Sequence, residues 1–80
     1  MELTIQLFGI TRDIIGQSRQ TVFLQEGDTV QELLNYMKGQ YPGLSELKSL
    51  VIAVNDDYAE PNQKLNQHDE IALIPPVSGG

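Results

Sequence analysis

One stretch of this chain marks both of its own ends, and the rest must fold around it. Thr29 is followed three residues later by Glu32, the spacing of a capping box, in which each side chain satisfies a free amide of the first helical turn. Val30, Leu33, Leu34, Met37 and Tyr41 then recur at intervals that lay one apolar stripe along a helix. Gly39 weakens the last turn and Pro42 forbids continuation. A helix with one apolar stripe must bury it against a second layer.

The flanking segments supply that layer as strands. Leu3, Ile5 and Leu7 alternate with Thr4, Gln6 and Phe8, the period of a half-buried strand that ends at Gly9. Ile10 to Ile15 fits one short helical turn stopped by Gly16. Gln20 to Gln25 is rich in β-formers and reads as a second strand, antiparallel to the first, before a turn at Glu26-Gly27-Asp28. Beyond the helix, Gly43 to Leu50 is ambiguous and leaves room for a short helix. Val51 to Val54 reads as a buried strand, Asn55-Asp56-Asp57 as a turn and Tyr58-Ala59 as a brief return strand. Turns at Pro61-Asn62 and Gln67-His68-Asp69 lead to a final strand, Glu70 to Ile74, and Pro75-Pro76 stops further ladder pairing. The expected architecture is a two-layer α+β domain over residues 1–74. Its mixed sheet carries one main helix packed on one face, the arrangement of the β-grasp, or ubiquitin-like, roll. Residues 75–80 are expected to form a flexible tail.

Composition narrows the chemistry. Eighty residues make one domain, with room for a single core and none for a separate catalytic domain. With no cysteine, disulfides, thiolate metal sites and a thiol nucleophile are excluded. The net charge of −6 comes with only five cations, Arg12, Arg19, Lys38, Lys48 and Lys64, scattered along the chain. Nucleic-acid binding needs them clustered. An acidic surface serves solubility and equally suits basic protein partners. Met1-Glu2-Leu3-Thr4-Ile5 has neither the basic nor the apolar region of a secretory signal, and no apolar run reaches the ~20 residues that span a bilayer. The expected location is the cytoplasm, away from membranes.

The last six residues are unlike an ordinary terminus. Pro75-Pro76 favours stiff, extended geometry leading off the sheet, and Val77-Ser78 leads into Gly79-Gly80. Two terminal glycines arise by chance about 0.5% of the time at average composition. An unstructured end or a cloning remnant explains them as readily as a function does. The functional explanation is steric: two residues without Cβ pass through a narrow channel that others would block. The prolines meanwhile reduce the conformers to be ordered on docking.

Ile74-Pro75-Pro76-Val77-Ser78-Gly79-Gly80, with Leu7-Phe8-Gly9, Arg12-Asp13-Ile14-Ile15-Gly16, Val54-Asn55 and Asp69-Glu70-Ile71, resembles the MoaD family of ubiquitin-like sulfur carriers along the whole chain. That resemblance implies a division of labour. An E1-like partner of the MoeB kind uses ATP to adenylate the carboxylate of Gly80. Sulfur from a persulfide donor replaces AMP and leaves a thiocarboxylate. The tail, Pro75, Pro76, Val77, Ser78 and Gly79, carries it into a MoaE-like large subunit, usually in a heterotetramer. There cyclic pyranopterin monophosphate receives two sulfurs in successive turns and becomes the dithiolene of molybdopterin. On this reading the chain is the non-catalytic subunit of a sulfurtransferase. It binds no cofactor and no metal, and ATP is spent by the activating partner. The residues agree: no phosphate-binding glycine loop is present, so the ATP chemistry must be borrowed. A carrier without cysteine must hold sulfur on its terminal acyl group.

The resemblance also points to an interface at the tail exit, comprising Phe8, Arg12, Leu73 and Ile74. Arg12 would touch the tail or the activator, or be a surface charge; Phe8, Leu73 and Ile74 would be exposed apolar surface, or core. Two features depart from the family pattern. Leu73-Ile74 stand where many members have an aromatic residue before the prolines, and His68 stands where a glycine is common. His68 has no companions for metal or proton chemistry. Asp56-Asp57 and Asp69-Glu70 read as solvated turn acids, Ser78 has no base beside it, and Tyr41 and Tyr58 read as packing residues. Two other destinations use the same end group: sulfur transfer in the thiazole pathway, where ThiS proteins are usually shorter and lack the Pro-Pro-Val step, and conjugation through Gly80 to lysines of other proteins, as a ubiquitin-like modifier.

Overall fold

The alternation of Leu3, Ile5 and Leu7 sets the fold, because those three side chains are buried while their neighbours face solvent. The computed structural model describes residues 1–47 and 49–75. Strand β1 (Glu2–Leu7) leads into helix α1 (Ile10–Ile15), which Gly16 ends in the left-handed conformation. Strand β2 (Arg19–Phe23) returns antiparallel to β1, with Leu3 opposite Val22 and Ile5 opposite Gln20.

Helix α2 (Val30–Gln40) starts at Thr29 with both halves of the capping box formed: the Glu32 amide donates to Thr29 Oγ1 at 3.3 Å, and the Thr29 amide donates to Glu32 Oε1 at 3.1 Å. Val30, Leu33 and Met37 are buried, while Leu34 and Tyr41 pack half-buried at the edge of the same core. Pro42, barred from the α-helix, opens a 3-10 helix, Pro42–Glu46, which buries Leu44. Strand β3 (Val51–Val54) turns through Asn55 and Asp56 into the two-residue β4 (Asp57–Tyr58). Both turn residues have positive φ, 53° and 72°, as the tight primed hairpin requires.

Strand β5 (Ile71–Ile74) closes the sheet in the order β2-β1-β5-β3-β4. It runs parallel to β1, with Leu7 opposite Leu73, and antiparallel to β3, with Val51 opposite Ile74. Among the described residues the central strand β5 thus carries the one parallel pairing of the sheet, with β1, and an antiparallel one with β3. Ile71 and Leu73 point with Ile5, Leu7, Ile52 and Val54 into the core, where α2 covers them. Among the described residues no helix packs on the opposite face, called here the open face.

Two expectations change here. Val51, read as part of a buried strand, is 37% exposed, because its pairing with Ile74 places it on the open face. Tyr58, read as a packing residue, stands 76% exposed on that face opposite Ala53.

Candidate functional site

The sequence points to the tail, and the described residues show its root. Pro76, Val77, Ser78, Gly79 and Gly80 lie outside the described residues; Ile74 and Pro75 lie within them. The register of β5 against β1 locates that root. Ile71, Ala72 and Leu73 lie beside Ile5, Gln6 and Leu7, so one step further Ile74 comes alongside Phe8 and Pro75 alongside Gly9. The geometry agrees, because a Cβ built on Gly9 would stand 3.3 Å from Pro75 Cγ. Gly9 has φ 55° and ψ −131°, the mirror image of extended backbone, a region essentially open only to glycine. A residue with a side chain here would be both strained and pressed against the proline ring.

Thr11 fixes this corner. It is fully buried and is the only buried polar residue among the described residues. Its Oγ1 accepts the Phe8 amide at 3.0 Å and donates to the Phe8 carbonyl at 2.6 Å. The Thr11 amide donates to the same carbonyl at 3.1 Å. Helix α1 is held down in turn by Ile14, whose Cγ2 would lie 3.3 Å from a Cβ at Gly43.

Around the root the surface is apolar. Phe8 is 47% exposed and Ile10 48%. Ile74 is half-buried, and the cross-strand pairs Val51–Ile74, Ala53–Ala72 and Ala53–Tyr58 continue a band of apolar and small side chains across the open face. Arg12 is exposed on α1, next to Thr11 in sequence. Of the four residues expected at the exit, Phe8 and Ile74 are the ones that follow the last pair of β1 and β5, Leu7–Leu73, and Arg12 is on the helix after them. Leu73 is not among them. It is 1% exposed, because period two turns it toward α2 when its neighbour Ile74 faces outward. Leu73 belongs to the core.

The other polar residues group at the far end of β5. His68 adopts φ 76°, the left-handed conformation a glycine would take more easily. Asn55 ties the β3–β4 turn to the approach of β5: its side chain donates to Asp69 Oδ1 at 3.1 Å and accepts the Glu70 amide at 3.0 Å, and its own amide donates to the Glu70 carbonyl at 2.7 Å. Asp69 also accepts the Asn66 amide at 2.7 Å. Val54-Asn55 and Asp69-Glu70-Ile71, noted separately in the sequence, are therefore one structural clamp. Among the described residues no group of three or more histidines and acids is placed to hold a metal ion. No helix among them is long and apolar enough to cross a membrane.

One contributor escaped the sequence, Thr11, whose signal is a hydroxyl three residues past Phe8, where it can bond backward; Asn55 was noted, but not its partners, which lie 14 and 15 residues away.

A mixed five-stranded sheet in this order, with one main helix across one face, defines a β-grasp protein of the ubiquitin-like kind. The chain belongs to the ThiS family, whose model matches residues 5–80. The chain is 36% identical to the molybdopterin synthase sulfur carrier subunit of Chlamydomonas reinhardtii, over 100% of both sequences. Among solved structures it is similar to SAMP1 from Haloferax volcanii, at 25% identity and a TM-score of 0.86 over 100% of both chains. It is also similar to a chain in a complex of subunits 1 and 2 of molybdopterin-converting factor from Helicobacter pylori, at 26% identity and a TM-score of 0.69, again over 100% of both.

Proposed function

We propose that this chain is the sulfur carrier subunit of a molybdopterin synthase, with sulfur carried as a thiocarboxylate on Gly80. The observation that carries the reading is similarity to a protein of that name over 100% of both sequences. The division of labour follows. Residues 1–74 are the handle that partners grip; residues 75–80 are the arm that reaches into them. A carboxylate is a poor acylating agent. An E1-like partner therefore joins a Gly80 oxygen to the α-phosphate of ATP, and pyrophosphate leaves. The terminal sulfur of a persulfide attacks the acyl carbon and AMP departs with the former carboxylate oxygen. A thiol then cleaves the remaining S–S bond, leaving the thiocarboxylate on Gly80 and a disulfide on the donor. The steps are catalysed by the partners; this chain supplies the end group and its delivery.

The large subunit is the second partner. The Helicobacter pylori relative stands in a two-subunit complex, and the open face here offers Phe8, Val51, Ile74 and Tyr58 for such a contact. Inside that complex the thiocarboxylate gives its sulfur to cyclic pyranopterin monophosphate, and two turns complete the dithiolene. The need for ATP and free persulfides supports a cytoplasmic location. Arg12, exposed beside the tail root, is suited to the activator or the tail. The test is reconstitution with the large subunit and the pterin precursor. Thiocarboxylated chain should yield dithiolene and carboxylate chain none; equal yields, or no yield from either, count against the reading.

Protein modification is the second reading, favoured by the similarity to a protein named as an archaeal modifier. It uses the same acyl adenylate but ends in an amide to a lysine. Covalent adducts on many proteins, in cells where no large subunit captures the chain, would support it.

A further inference from the structure

We propose that Thr11 is a positioning residue for the tail: its buried hydroxyl completes the sheet where Pro75 cannot, and so sets the direction in which the chain leaves β5. The activity half of this proposal rests on the carrier reading; the structural half does not.

The argument starts from strand alternation. Backbone groups of successive residues in a strand point to opposite neighbours. The Leu7 amide donates to the Ser18 carbonyl at 2.9 Å, on the β2 side. The polar groups of Phe8 therefore face β5. In a parallel ladder with Phe8 beside Ile74, the next donor to the Phe8 carbonyl would be the amide of residue 75. Residue 75 is proline and has none. A carbonyl left without a donor at the partly buried end of a sheet is costly. Thr11 answers with two donors, its amide at 3.1 Å and its hydroxyl at 2.6 Å, while the hydroxyl oxygen accepts the Phe8 amide at 3.0 Å. Phe8 is thereby held at both of its polar groups.

The pinned residue decides where Gly9 goes. Gly9, at φ 55°, brings a backbone without a side chain up to the Pro75 ring, 3.3 Å from where a Cβ would stand. Pro75 has its own φ fixed by the ring. A ring of fixed φ on a fixed seat restricts how the chain leaves β5, so fewer conformers need ordering when the tail enters a partner. Thr11 touches no substrate; it acts through Phe8, Gly9 and Pro75.

The experiment compares Thr11→Val, which keeps shape and removes the hydroxyl, with Thr11→Ser, which keeps the hydroxyl. Val22→Ala serves as a core control on β2, far from the root. Each full-length chain is assayed as the substrate of an E1-like activator with ATP and a sulfur donor, at a temperature where all are fully folded by circular dichroism. Thr11→Val should raise KM for the chain about fivefold, the size of one net hydrogen bond, with kcat within about twofold. Thr11→Ser and Val22→Ala should leave KM within about twofold of the parent, although Val22→Ala lowers the melting temperature. In parallel, nuclear Overhauser contacts between the Gly9 α-protons and the Pro75 ring should be present in the parent and in Thr11→Ser, and weakened in Thr11→Val. Unchanged ring contacts in Thr11→Val overturn the seat. Intact KM in Thr11→Val, or a KM that rises equally in Val22→Ala, overturns its role in delivery. If the parent chain itself is not activated, the carrier reading fails, and the Gly9–Pro75 contacts alone judge the seat.

Discussion

Replacing Asn55 by alanine tests the clamp that sets β5 in register. Three quantities follow from the structure. The Glu70 amide loses its side-chain acceptor at 3.0 Å, a net loss of about 1 kcal/mol. The bond to Asp69 at 3.1 Å is exposed and contributes a few tenths of a kcal/mol. Finally, Asn55 sits at φ 53°, which asparagine tolerates and alanine pays about 1 kcal/mol to adopt. Asn55→Ala should therefore destabilise the fold by about 2 kcal/mol. For a domain of this size that lowers the melting temperature by roughly 8–16 °C. Asn55→Gly keeps the positive φ free of strain and loses only the bonds, so it should cost about half as much. Urea unfolding resolves the two, since the midpoints shift while the slope stays constant. Equal losses in both variants would show that the left-handed backbone adds nothing. Losses under about 0.5 kcal/mol in both would show that the clamp does not hold β5.

The remaining predictions concern the core, the far turn and the tail. Leu33, wholly buried beneath the sheet, should cost about 3–4 kcal/mol when cut to alanine, read by urea unfolding, because helix and sheet cannot close the cavity completely. His68→Gly should raise stability by about 0.5–1 kcal/mol, because φ 76° then comes without strain; a lower melting temperature contradicts this. Deleting Gly79-Gly80 should leave the melting temperature within about 1 °C of the parent, since among the described residues the core cluster lies between Leu3 and Leu73. The same deletion should abolish activation by the E1-like partner.

What was legible in the sequence was local. The capping box at Thr29, the stripe through Val30, Leu33 and Met37, the alternation of β1 and the stop at Gly16 are all set by residues within a few positions of one another. Where two distant segments meet, the sequence is silent. Nothing near Leu73 says that β1 will lie beside it, and without that neighbour its side is undetermined; hence the sequence left exposed patch and core both open for it, and its inclusion at the exit interface fails. Val51 faces outward for the same reason, paired with Ile74 across the open side. The tail was conspicuous from its glycines. Its seat was not, because Thr11 and Gly9 gain their meaning only once Pro75 arrives against them.

The central claim is that Gly80 carries sulfur, and the mass of the intact chain tests it most directly. The chain would be incubated with an E1-like activator, ATP and a persulfide donor, then digested so that the fragment containing Gly80 is weighed separately. Locating the change matters, because oxidation of Met1 or Met37 adds nearly the same nominal mass as exchange of one oxygen for sulfur. A gain of that size on the Gly80 fragment, dependent on ATP, is the predicted result. No gain there, while the activator demonstrably turns over ATP with this chain, would contradict the sulfur carrier and bring the protein-modifier reading forward.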